Sequence, residues 1–94
     1  MKASRHRLRV SRGVAELIRG LHPQLLRKLR AALEQVLVDP RSGKALRDEL
    51  AGLWSFRVGK FRLIYRFDRR HIDLIAFGPR ERIYEETYRL IARK

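Results

Sequence analysis

Apolar and polar residues alternate along most of Leu53–Tyr84, the period-two pattern of β-strands. Trp54, Phe56 and Val58 share one face of a first run, with Ser55 and Arg57 on the other. Phe61, Leu63, Tyr65 and Phe67 share a face of the second, opposite Arg62, Ile64 and Arg66. A third run, Ile72 to Phe77, is apolar on both faces apart from Asp73, which suits an interior strand. Gly59-Lys60 and Asp68-Arg69-Arg70-His71 provide the two turns of this meander. The pattern predicts a sheet with one core-facing surface and, on the other surface, a row of guanidinium groups.

The period changes to 3.6 elsewhere. Val14, Leu17, Ile18 and Leu21 predict a short helix from about Arg12, with Ser11 as N-cap. His22-Pro23 interrupts it, and Pro23 fits the first turn of a second helix. There Leu25, Leu26, Leu29, Leu33, Val36 and Leu37 form a stripe, and Asp39-Pro40 ends it. From Arg80, Ile83, Tyr84, Thr87, Leu90 and Ile91 predict a last helix. Its acids, Glu85 and Glu86, come early and its bases, Arg89, Arg93 and Lys94, late. His6, Leu8 and Val10 alternate with Arg7 and Arg9 as a short N-terminal strand. Residues 40–52 read as a long connection, with a turn at Arg41-Ser42-Gly43 and a helical turn between Lys44 and Leu50. The expected fold is α+β, a single domain over 1–94 ordered β-α-α-β-β-β-α. Its small antiparallel sheet has four strands, with an N-terminal helical hairpin and a C-terminal helix.

Charge narrows the partners. The 94 residues hold 23 Lys and Arg against 10 Asp and Glu, a net +13. Such a chain repels itself and favours anions, nucleic acid first and acidic protein second. There are no cysteines, hence no disulfides or thiolate metal ligands. His6, His22 and His71 are scattered without ligand spacing, so no metal is expected. No apolar run approaches the roughly 20 residues of a spanning helix, and the basic N-terminus lacks the apolar core of a signal peptide. A cytoplasmic protein without membrane contact is expected.

Two stretches, Leu53-Trp54-Ser55-Phe56-Arg57-Val58-Gly59-Lys60-Phe61-Arg62-Leu63-Ile64-Tyr65 and Phe77-Gly78-Pro79-Arg80-Glu81-Arg82-Ile83-Tyr84, carry a resemblance. With this element order they resemble the RelE/ParE superfamily of type II toxins. The resemblance implies a cognate acidic antitoxin and no small-molecule cofactor. For the RelE-like branch it implies a metal-independent endoribonuclease acting on the ribosome. Such a toxin cuts mRNA in the A site by attack of a ribose 2′-OH, and so halts translation. The family's central-strand arginine falls on Arg62, its arginine after the last strand on Arg80, and its tyrosine on Tyr84, with Tyr88 competing. Its two sheet lysines fall on Ser55 and Arg57, with Lys60 just beyond. The expected catalytic set is Arg57, Lys60, Arg62, Arg80 and Tyr84. Arg57, Lys60, Arg66 and Arg82 are the expected RNA contacts.

Guanidinium forks match phosphate oxygens and stay charged, but they transfer protons poorly. Proton transfer then falls to Tyr84 as base and Lys60 as acid, or to ribosomal RNA, with Glu81 a minor option. The same residues also have structural readings. Arg62 and Arg66 could solvate an open sheet face, Tyr84 could tie helix to sheet, and Trp54 and Phe61 read as core. Two other functions fit the pattern: a ParE-like inhibitor of DNA gyrase, and a non-catalytic module that binds nucleic acid or antitoxin.

Overall fold

The computed structural model describes residues 6–92. The late-helix residues Arg93 and Lys94, and the first five residues of the basic N-terminus, lie outside the described residues. Among the described residues ten elements follow one another. Strand β1 (Arg7–Val10) leads into helices α1 (Arg12–Arg19) and α2 (Pro23–Val38). A 3₁₀ turn (Pro40–Ser42), strand β2 (Lys44–Ala45) and a second 3₁₀ turn (Asp48–Leu50) form the connection. Strands β3 (Trp54–Val58), β4 (Phe61–Phe67) and β5 (His71–Pro79) form the meander, and α3 (Arg80–Ala92) closes the chain.

The sheet has five strands in the order β1-β5-β4-β3-β2 and is mixed. This corrects the expected four-stranded antiparallel sheet in two ways. First, β1 pairs parallel with β5, Arg7 opposite His71 through Val10 opposite Leu74. Parallel neighbours need a long connection, and here the helical hairpin and the meander together supply it. Second, the connection hides a strand: Lys44 and Ala45 pair antiparallel with Ser55 and Trp54. The Leu46 N–H donates to the Leu53 carbonyl at 2.9 Å, extending that pairing. A two-residue strand is too short to show alternation. The expected helical turn is confined to Asp48–Leu50.

The helix signals act as read. Ser11 Oγ accepts from Val14 N at 3.3 Å at the start of α1, and Pro23 opens α2. Asp39 ends α2, and its carboxylate then caps the 3₁₀ turn by accepting from Arg41 N at 3.1 Å. The hairpin stripe covers one sheet face: Val14, Leu29, Ala32 and Val36 pack with Val58, Leu63, Tyr65, Ile72, Leu74 and Phe77. Trp54 and Phe61 are partly buried against that core. On the other face Ile83 of α3 packs with Leu53 and Ile64. A bulge shifts the register of β5, so that Ile64 faces Ala76 while Tyr65 faces Leu74. Leu74 and Phe77 therefore both reach the hairpin core, while Ile75 and Ala76 pack on the α3 side. This explains why β5 is apolar at successive positions.

Two local features fix the strands around the recess described below. Gly59 takes φ +62 in the β3–β4 turn, a conformation that costs glycine little. Tyr65, fully buried, donates its hydroxyl to the Pro40 carbonyl at 2.6 Å. Gly43 packs against that hydroxyl so closely that a Cβ there would lie 2.5 Å from Tyr65 Oη and 2.7 Å from the Ser55 carbonyl oxygen. The segment entering β2 is thus clamped between β4 and β3.

Burial pushes the Tyr65 phenol up to about 12, against an opposing contribution from the Gly43 backbone. The neutral phenol is favoured in the fold, so its stabilisation is complete below the unfolded value, near pH 10. It is lost as pH rises through about 12. Tyr65→Phe is expected to cost about 1–3 kcal/mol at neutral pH by orphaning the Pro40 carbonyl. It should also flatten the fall in stability between pH 10 and 12. Urea melts of both proteins across that range check this; an unchanged alkaline slope in the variant would refute it.

Candidate functional site

The α3 face of the sheet contains a recess of about 350 Å³. Arg57, Arg62, Arg80 and Tyr84 line it, joined by Lys44 and Ser55, with Leu46 completing the wall. The elements that deliver these groups are independent in sequence. Arg57 and Arg62 are direct partners in the β3–β4 ladder. Arg80 is the first residue of α3, and its backbone N–H donates to the Lys60 carbonyl at 3.1 Å, tying the helix start to the hairpin turn. Tyr84, one turn further on, is half-buried. Its hydroxyl shares a hydrogen bond with Ser55 Oγ at 3.0 Å. Tyr84 thus ties helix to sheet while also facing the recess; the two readings of this residue coexist.

The electrostatics of the recess are one-sided. Its lining includes three guanidinium groups and one ammonium, and no carboxylate. Among the described residues none of these four cations makes an ion pair, whereas Arg9, Arg66, Arg82 and Arg89 all do. Arg62 spends one N–H on the Phe61 carbonyl at 3.4 Å, leaving further donors on its fork. Like charges directly opposite in a ladder repel. The positive end of the α3 dipole adds to the same field. Such a site is complementary to an anion.

The other expected residues stand elsewhere. Lys60 occupies the β3–β4 turn, exposed, and its side chain is outside the recess lining. Arg66 is held at 3.3 Å by Asp73, which also takes two hydrogen bonds from Arg9, at 2.6 and 3.1 Å. These three residues lie side by side across β1, β5 and β4. Arg9 first, then Arg66, hold the Asp73 carboxyl below the usual carboxylate range. Arg82 lies 3.9 Å from Glu86 on the outside of α3, and Tyr88 is exposed near the helix end, away from the recess. Glu81 is exposed and outside the lining.

Sequence reasoning missed Lys44. The register of the hidden strand puts it opposite Ser55, so a lysine reaches the recess from a neighbouring strand. The one legible signal was the Arg41-Ser42-Gly43 turn before it. Among the described residues no group of three His, Cys, Asp or Glu is placed to hold a metal, and no helix is long and apolar enough to cross a membrane.

The sequence model of the ParE toxin of the type II toxin–antitoxin system parDE matches residues 6–84. Toxin RelG of Mycobacterium tuberculosis is 42% identical over 62 residues, covering 61% of this chain and 71% of that protein. The RelBE2 toxin–antitoxin complex of the same organism contains a chain that is 29% identical. It superposes with a TM-score of 0.71 over 84% of this chain and 95% of that one. A free-state mutant of Escherichia coli toxin RelE gives 0.75 at 22% identity, over 94% and 95% of the two chains. At that identity the likeness concerns the fold.

Replacing Arg57 with alanine relieves the repulsion across the ladder. Arg57→Ala is expected to raise stability by about 0.2–1 kcal/mol at low salt while weakening binding of a small polyanion at the recess. Thermal melts and a binding titration check both signs. A destabilised variant would mean that the pair is not repulsive in place.

Proposed function

Since the chain belongs to the ParE toxin family of type II toxin–antitoxin systems, within the RelE/ParE superfamily, we propose that it is a ribosome-dependent endoribonuclease that cuts mRNA in the A site. The observation that carries this reading is the recess, in which Arg57, Arg62, Arg80 and Lys44 surround a phenol with no carboxylate among the lining residues. In-line attack of a 2′-OH on the adjacent phosphorus builds negative charge on the phosphoryl oxygens. Preorganised cations aimed at that charge are worth about 3–4 kcal/mol each in a site that excludes water. Arg62 and Arg80, delivered by a strand and a helix start, grip the phosphoryl oxygens, and Arg57 completes the cradle. Tyr84, oriented by Ser55, accepts the 2′-OH proton. The ribosome supplies the geometry of the mRNA and the rest of the backbone contacts.

One observation favours a second reading. The matching family model is that of the ParE toxin, which keeps a gyrase-directed toxin in play. Lys60, Arg66 and Arg82, outside the recess lining, would then serve the protein partner.

The partner that restrains the toxin is an acidic antitoxin. The RelBE2 relative is solved as a toxin–antitoxin complex, and this chain's formal charge of +13 calls for a polyanionic cover.

Purified protein added to a translation reaction, with mRNA 3′ ends mapped beside a gyrase supercoiling assay, separates the readings. In-frame cuts are expected, falling by about 10²–10³ in Arg80→Ala and strongly in Tyr84→Phe. Intact mRNA with blocked supercoiling would transfer the assignment to gyrase. The antitoxin complex should dissociate more readily as salt rises; a salt-insensitive affinity, measured by titration calorimetry, would place the binding energy in apolar contacts instead.

A further inference from the structure

Cleavage of a phosphodiester needs a proton for the departing 5′-oxygen, and guanidinium groups are poor donors at neutral pH. Among the groups lining the recess, Lys44 carries the one ammonium. Lys60, the donor expected from sequence, stays outside that lining. Lys44 sits opposite Ser55 in the β2–β3 ladder, and Ser55 is the residue that holds the Tyr84 hydroxyl. Lys44 and Tyr84 therefore flank one buried serine, on two different elements, at the same cavity. Lys44 makes no ion pair or side-chain hydrogen bond among the described residues. The clamp of Tyr65 and Pro40, with Gly43 packed against it immediately before Lys44, holds its strand in place.

We propose that Lys44 is the general acid of the cleavage, an inference that rests on the ribonuclease reading. The 2′-oxygen gives its proton to the Tyr84 oxygen and forms a bond to phosphorus. The bond from phosphorus to the 5′-oxygen breaks, and its electron pair stays on that oxygen, which takes a proton from the Lys44 ammonium. The products are a 2′,3′-cyclic phosphate and a 5′-hydroxyl. Solvent then carries one proton from the Tyr84 phenol back to the Lys44 amine, restoring both groups.

A charge-only role for Lys44 predicts different chemistry, and the leaving group tells them apart. A sulfur in place of the bridging 5′-oxygen departs as thiolate without a proton. The probe is ribosome-bound mRNA with either an ordinary or a 5′-thio linkage at a codon the wild type cuts. Lys44→Ala and Lys44→Arg are both expected to lose about 10²-fold or more on the ordinary linkage and to recover most of that loss on the thio linkage. Unchanged melting temperatures separate this from unfolding, because Lys44 is exposed on an edge strand. Full activity in Lys44→Arg, or an equal loss on both linkages, would overturn the acid role while leaving the ribonuclease reading intact. A wild type that cuts neither substrate would overturn the ribonuclease reading, and the acid role with it.

Discussion

Two arginines face each other across a hydrogen-bonded ladder, Arg57 on β3 and Arg62 on β4. Nothing in folding favours that pairing, since like charges directly opposite raise the energy of a sheet. It persists because the opposite face of the same strands is anchored: Val58 and Leu63 are buried under the helical hairpin. A one-residue slip of the register would expose the whole apolar set, which costs far more than the repulsion. The hairpin core thus holds the cations together, and an anion relieves the strain they share.

The same division of labour explains the rest of the architecture. One face of the sheet is devoted to stability and carries the larger core. The other is only partly covered, by α3, whose Ile83 seals the centre while Arg80 and Tyr84 project toward the open end. At the far end of that sheet Asp73 pairs with both Arg9 and Arg66. Arg9 and Arg66 are thus ion-paired toward the β1 side, whereas Arg57 and Arg62 toward the β3 side make no ion pair among the described residues. A binding site and a stable sheet edge are built from the same residue type, distinguished by where the carboxylates stand.

Much of this was legible in the chain. Alternation in β3 and β4 separated the core residues from Arg57 and Arg62, and the stripe from Leu25 to Leu37 identified the covering hairpin. The cap at Ser11, the helix start at Pro23 and the helix end at Asp39-Pro40 are short-range chemistry and read directly. The expectation that Arg57, Arg62, Arg80 and Tyr84 converge rested on a family resemblance, because no local pattern relates a helix start to a strand two elements away. What escaped was set by tertiary contacts. β2 is two residues long and exists through its pairing to β3, so Lys44 had no period to betray it. The parallel pairing of β1 and the bulge beside Ile64 likewise depend on neighbours distant in sequence. Lys60 follows Arg57 closely in sequence, yet it sits in the β3–β4 turn and is outside the recess lining.

The central claim is that the recess grips one phosphodiester with arginines from three elements. The direct measurement is an NMR titration of the protein with a dinucleotide whose 2′-hydroxyl is methylated, following arginine side-chain resonances. The account predicts that Arg57, Arg62 and Arg80 shift together with a single dissociation constant, while Arg9 and Arg66 stay still. Shifts spread evenly over the basic surface, or confined to the arginines of α2, would contradict it.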